Sequence, residues 1–145
     1  MSTATRSDLL TPFRPNFATD RLPISGRIVR FRSLSELEYQ EFEMSRIERD
    51  DLGRLVTAQE PMRTTRARLA VLCLCDDDGQ RLLGPADVEP LSEAMDLADS
   101  LFLFGRLQEH CGLSGNLGDL AARREAAAAA AAKKNSATIT ASGSP

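Results

Sequence analysis

The segment Ala67-Arg68-Leu69-Ala70-Val71-Leu72-Cys73-Leu74-Cys75 is the most apolar stretch of the chain, and it runs directly into Asp76-Asp77-Asp78-Gly79. A run of this kind is driven out of water, so any fold available to the chain must bury it. It is too short and too continuously apolar for periodicity to separate a buried strand from a buried helix, and both remain open. The acidic stretch that follows is a turn signal. Aspartate side chains bond backbone amides two residues on, and glycine enters the left-handed region without steric cost. Gln80 to Leu83 is then expected to return as a short strand.

The rest of the chain has to build one core around that run. A length of 145 residues is room for one ordinary domain. Hydrophobic residues make up 42% of the chain, but the Ala run 126–132 adds little that can be buried. Six Phe, one Tyr and no Trp argue against an aromatic surface for carbohydrate or single-stranded nucleic acid. The net charge of −3 disfavours a general nucleic-acid binder, and no nucleic-acid partner is expected. No apolar run approaches the roughly 18 residues of a spanning helix, and no membrane partner is expected. Met1 to Asp8 lacks the apolar segment of a secretory signal. Three cysteines without secretory context are read as free thiols in a reducing cytoplasm.

Charge and turn residues suggest the organisation. Residues 1–20, with Pro12 and Pro15, read as a flexible arm in which Phe13 and Phe17 are docking points. Pro23 to Arg32 alternates apolar and polar residues around Gly26, as a short hairpin or strand does. Ser33-Leu34-Ser35-Glu36 has the pattern of a capping box opening a helix to about Arg49, with Asp50 to Gly53 as its stop and residues 53–65 as a connector. Gly84-Pro85-Ala86-Asp87 starts a helical turn that Pro90 interrupts or restarts. Leu91 to Cys111 is the clearest helix. Leu91, Met95, Ala98 and Phe102 form one apolar row, and Leu97, Leu101, Phe104 and Cys111 its neighbour. Leu103 alone falls on the face carrying Asp96, Asp99, Arg106 and His110. Gly112-Leu113 suits a Schellman end. Asn116 is expected to cap an Ala-rich helix over 115–134, and residues 135–145 read as disordered tail. The expected fold is α+β: a helix-dominated single small domain over 21–114, with a small N-terminal or central β-element and disordered termini.

Few residues suggest reaction chemistry. Cys73, Cys75, His110 and Cys111 could together supply four zinc ligands, but their spacing departs from structural zinc sites and buried free thiols are the simpler reading. His110 and Cys111 diverge by about 100° on a helix, which disfavours a dyad. A calcium loop centred on Gly79 would put Leu74 and Pro85 at ligand positions. The acidic residues Glu36, Glu38, Glu41 and Glu43 read as a solvated helix face. The arginines at 27, 30, 32, 63, 66 and 68 read as salt-bridge partners of the acidic helices. No catalytic residue, metal site or cofactor is assigned.

Several motifs taken in order resemble the tail assembly chaperones of tailed phages, over about Ile24 to Ser136. Gly26-Arg27-Ile28-Val29-Arg30-Phe31-Arg32 leads into the Ser33 helix. The apolar run with its flanking Arg66 and Arg68, the acidic turn ending in Gly79, and the continuation Gln80-Arg81-Leu82-Leu83 are the most specific part. Asp87-Val88-Glu89 follows, then a Leu-rich helix closing on Cys111-Gly112-Leu113-Ser114, and finally Lys134-Asn135-Ser136. The Ala126–Ala132 run, Pro90 and the short Ala-rich C-terminus depart from the family pattern.

The resemblance implies a protein that is not an enzyme. It would bind the long helical tape measure protein in the host cytoplasm and keep it soluble during tail assembly, and it would be absent from the mature virion. Many such proteins have a longer form made by ribosomal frameshifting, whose extension recruits the tail tube protein; Lys133-Lys134 is where a slippery sequence would fall. A homo-oligomer is left open. The surface assigned to the partner is Leu97, Leu101, Leu103 and Phe104, and the competing reading is that these residues fill the core. The rival function is a structural adaptor or tail component retained in the virion.

Overall fold

The computed structural model describes residues 2–45, 47–57, 64–113 and 120–130. A short helix, α1 (Arg6–Leu9), precedes β1 (Phe17–Arg21) and β2 (Ile28–Arg32). Next come α2 (Glu36–Met44), β3 (Ile47–Arg49) and β4 (Leu55–Thr57). α3 (Thr65–Cys73) runs into β5 (Leu74–Cys75), and a 3-10 turn at Pro85–Asp87 leads to α4 (Val88–Ala94) and α5 (Leu97–His110). Residues 120–130 form a further helix, α6. Helices outweigh two small antiparallel sheets, ordered β1-β2-β5 and β3-β4, in an α+β fold.

β2 is the central strand. It pairs with β1 from Phe17↔Arg32 to Arg21↔Ile28 and with β5 through Arg30↔Cys75 and Phe31↔Leu74. The β1–β2 loop closes with Leu22 N–H on the Arg27 carbonyl, and Gly26 takes the left-handed conformation at φ 72°. Residues 17–20, placed in the arm by composition, therefore belong to the sheet.

The apolar run resolves its ambiguity by being both helix and strand. It is α3 as far as Cys73, then turns extended at Leu74 (φ −65°, ψ 132°) and enters the sheet. Leu69, Ala70, Cys73 and Leu74 join Leu22, Phe31, Phe42, Leu103 and Leu107 in the main core. The Asp76–Gly79 turn forms as expected. Asp76 Oδ1 accepts the amides of Asp78 and Gln80, and Gly79 sits at φ 82°. Arg30 fixes the turn to the sheet, donating to the Asp76 and Asp77 carbonyls while its guanidinium lies 4.1 Å from the Phe17 ring centroid. The return over Gln80–Leu83 is reduced to an isolated bridge, Cys75↔Arg81.

Three boundaries differ from the sequence expectation, each for a local reason. The capping box is Ser35 with Glu38, one Ser-x-x-Glu pair later than the expected Ser33 with Glu36. Ser33 is unavailable, because its Oγ accepts the Asn16 amide at 2.8 Å while its own N–H bonds the Asn16 carbonyl, extending the β1–β2 ladder. The helix then stops at Met44 rather than Arg49. Residues 47–49 pair with 55–57 instead, across a turn in which Asp50 Oδ1 accepts the amides of Leu52 and Arg54. The helix expected over 91–111 is two helices. Met95 is extended (ψ 133°), and Asp96 caps α5 by accepting the Ala98 amide at 2.8 Å. Pro90 does not interrupt α4, since it occupies the first turn, where its missing N–H would have no partner.

The C-terminal end of α5 is a Schellman motif as expected. Leu113 N–H reaches the Gln108 carbonyl, Gly112 N–H reaches Glu109, and Gly112 has φ 81°. The Ala-rich helix is described over 120–130. Asn116, Lys133-Lys134 and the tail over 135–145 lie outside the described residues.

Leu107 lies at the centre of the core with no exposed surface, whereas Leu101 is 51% exposed on the same helix. Leu107→Ala is expected to cost about 2–5 kcal/mol of unfolding free energy. Leu101→Ala is expected to change it by no more than about 0.5 kcal/mol. Urea titration of the two variants checks the contrast.

Candidate functional site

α5 presents two unlike faces, and the one that carries most of its polar residues is the one turned to the core. The face carrying Asp99, Leu103, Arg106 and His110 turns inward. Asp99 and Leu103 are each only 2% exposed. The Asp99 carboxylate is satisfied by backbone donors, accepting the Ile24 amide at 2.7 Å and the Ser25 amide at 3.0 Å from the β1–β2 loop. Arg106 Nε pairs with Asp20 at 2.7 Å. The His110 ring meets Phe31 edge-on at 5.2 Å, with Nε2 2.8 Å from the Asn16 carbonyl oxygen. Three polar side chains at roughly helical spacing thus hold the edge strand and its loop along the length of α5.

Inversion of this face leaves apolar residues outside. Leu97 is 63% exposed, Leu101 is exposed, and Phe104 is half-buried. Leu103, assigned to the partner surface from sequence, is instead a core residue. Its neighbours Asp99 and Leu107 are buried with it, so it cannot belong to a solvent-facing row. It does form part of the floor of a groove between α3, α4 and α5, with Leu91, Met95, Leu97 and Phe104 along the sides and Arg66 among the lining residues. Leu101 lies outside that lining. A second hollow shares Leu91 and Met95 and reaches Ile24, which is 63% exposed on the β1–β2 loop. Ile24 is a surface residue that sequence reasoning missed, because no helical period links it to α5.

The charged groups around this frame are mostly structural. Glu38 takes the Ser35 amide and ion pairs from Arg32 and Arg81, which tie α2 to β2 and to the bridge after the acidic turn. Burial opposes ionisation of Glu38, but the Ser35 amide and the two arginines outweigh it and hold its carboxyl below the ordinary range. Asp99 follows the same balance: burial raises its pKa, and the Ile24 and Ser25 amides together bring it below 3.8. His110 is shifted down from 6.5, first by burial and then by Arg124 and Arg106, against the bond to Asn16.

The four groups weighed as zinc ligands and set aside are not drawn together. Cys73 and Cys111 are in sulfur contact, Cys75 is in β5, and His110 engages Asn16. Among the described residues no cluster of three metal-type side chains occurs. Among them also, no helix is long and apolar enough to cross a membrane.

The depressed pKa values set a pH profile. Each group titrates lower in the fold than in the unfolded chain, so the unfolded state takes up protons first as pH falls. His110 stabilises the fold fully above pH 6.5, and that contribution is lost as pH falls below it. Asp99 and Glu38 add a second loss below their ordinary values of 3.8 and 4.5. Thermal melts from pH 8 to pH 3 are expected to show both declines. His110→Gln should flatten the upper one and Asp99→Asn should weaken the lower.

No protein-family model matches the chain, and no curated protein matches it. Among solved structures it is similar to the bacteriophage HK97 tail assembly chaperone, with 18% sequence identity and a TM-score of 0.45, over 65% of this chain and 84% of that one.

Proposed function

We propose that the chain is a non-enzymatic tail assembly chaperone of a tailed phage, which holds the tape measure protein soluble in the host cytoplasm until the tail is built. The observation that carries this reading is the ordered series of motifs from Gly26 to Ser114. Its core is the arginine-flanked run Ala67–Cys75, the acidic turn ending in Gly79, Asp87-Val88-Glu89 and the Gly112-Leu113-Ser114 end. The fold adds a surface suited to the task. Leu97 and Leu101 stand exposed on α5 beside a groove lined by Leu91, Met95 and Phe104. An amphipathic helix seats its apolar face in such a groove, with anchors at helical spacing. A long helical partner offers that pattern repeatedly.

Within this reading the contact residues are Leu97, Leu101 and Phe104, with Leu103 beneath them as floor. A longer form made by frameshifting at Lys133-Lys134 would carry the extension that recruits the tail tube protein. Both forms would be missing from the mature virion.

The test is co-expression with the tape measure protein of the same phage. The chain is expected to keep it soluble and to co-purify with it. The double substitution Leu97→Glu and Leu101→Glu is expected to reduce co-purification by roughly tenfold or more, as loss of two interface anchors does, with an unchanged thermal melt. Equal co-purification by the variant would remove α5 as the contact. Presence of the chain in purified virions would favour the adaptor reading. Intact-mass analysis of the expressed locus is expected to show a second, longer product whose sequence departs near Lys133-Lys134.

A further inference from the structure

Cys73 ends α3 and Cys111 follows the last residue of α5, and the fold brings their sulfurs to 3.9 Å across 38 positions of sequence. Cys73 is fully buried, while Cys111 is half-buried and the more accessible residue of the pair. Cys75, two residues beyond Cys73, is also buried, but among the described residues no sulfur contact joins it to another cysteine. The surroundings give the pair a direction. The bond with Cys111 pushes the Cys73 thiol far up, and burial adds to it. That same bond pulls Cys111 down, against burial, with the Leu34 amide and Arg124 assisting. Of the two sulfurs Cys111 therefore ionises more readily, which marks it as the attacking sulfur and Cys73 as the resolving one.

We propose that Cys73 and Cys111 form a peroxide-sensitive dithiol that closes into a disulfide between α3 and the end of α5. Hydrogen peroxide is the two-electron oxidant. The Cys111 sulfur attacks one peroxide oxygen and the O–O bond breaks. The departing hydroxide takes the proton that the Cys111 thiol gives up and leaves as water, and Cys111 becomes a sulfenic acid. The Cys73 sulfur then attacks the Cys111 sulfur. The S–S bond forms, the S–O bond breaks, and hydroxide leaves with the Cys73 proton as a second water. Two thiols and one peroxide give one disulfide and two waters. The sulfurs must close from 3.9 Å to about 2 Å. Cys111 sits just past α5, before the left-handed Gly112, so the adjustment falls at the end of an element rather than within it. The resulting loop contains the acidic turn and α4, so the bridge fastens one wall of the α3–α4–α5 groove to its neighbours. This inference is independent of the chaperone reading.

The experiment treats the folded full-length chain with graded hydrogen peroxide, followed by intact-mass analysis and non-reducing peptide mapping. The expected product has lost two hydrogens, carries a Cys73–Cys111 cross-linked peptide, reverts with dithiothreitol, and retains a Cys75 thiol that alkylates after unfolding. Cys75→Ala should form the same bridge, and Cys111→Ser should not. The proposal is overturned by a cross-link through Cys75 or by overoxidation of Cys111 without a bridge. An unchanged folded mass under conditions that oxidise the urea-unfolded chain also overturns it.

Discussion

The Asp99 carboxylate, held by the amides of Ile24 and Ser25, is the contact on which the arrangement of the domain depends. The β1–β2 loop offers two backbone donors to a carboxylate that is only 2% exposed, and a carboxylate buried without such donors is costly. Asp99 supplies both acceptors from one side chain on α5. That requirement turns this face of the helix inward and carries Leu103 and Leu107 into the core on the following turns. Arg106 with Asp20 and His110 with Asn16 continue the attachment towards the C-terminal end of α5. The helix is fixed in rotation by polar contacts as much as by packing, and the exposure of Leu97 and Leu101 follows from that rotation.

The same reliance on backbone donors explains which parts of the fold were legible in the sequence. The acidic turn, the Gly26 loop and the Schellman end at Gly112 were readable, because each rests on local residues whose conformational preferences act alone. The burial of the 67–75 run was also readable, while its division into helix and strand was not. That division is set by the pairing of Leu74 and Cys75 with β2, a contact between residues distant in sequence. The capping box was displaced to Ser35 because Ser33 was already engaged by Asn16, again a non-local partner. The rule that polar residues face water failed along α5, where the donors that bury Asp99 lie 74 and 75 positions away in the chain.

The candidate surface was legible only in part. Leu97 and Leu101 were chosen from an apolar row too wide for a simple stripe, and they are exposed. Leu103 was chosen because it broke a polar face, and that face proved to be the inward one. Ile24 belongs to a loop that reaches the same region of surface, and no periodicity in the sequence could have placed it there. The proposed function leans on the order of motifs along the chain, and the groove beside α5 is the surface proposed to serve it.

The most direct test of that account is hydrogen exchange of the full-length chain, alone and with the purified tape measure protein of the same phage. The account predicts slowed exchange concentrated in α4 and the first turns of α5, spanning Leu91 to Phe104, with the α2 and β3–β4 amides unchanged. Protection elsewhere with the 91–104 amides unaffected, or no complex at all, would contradict it.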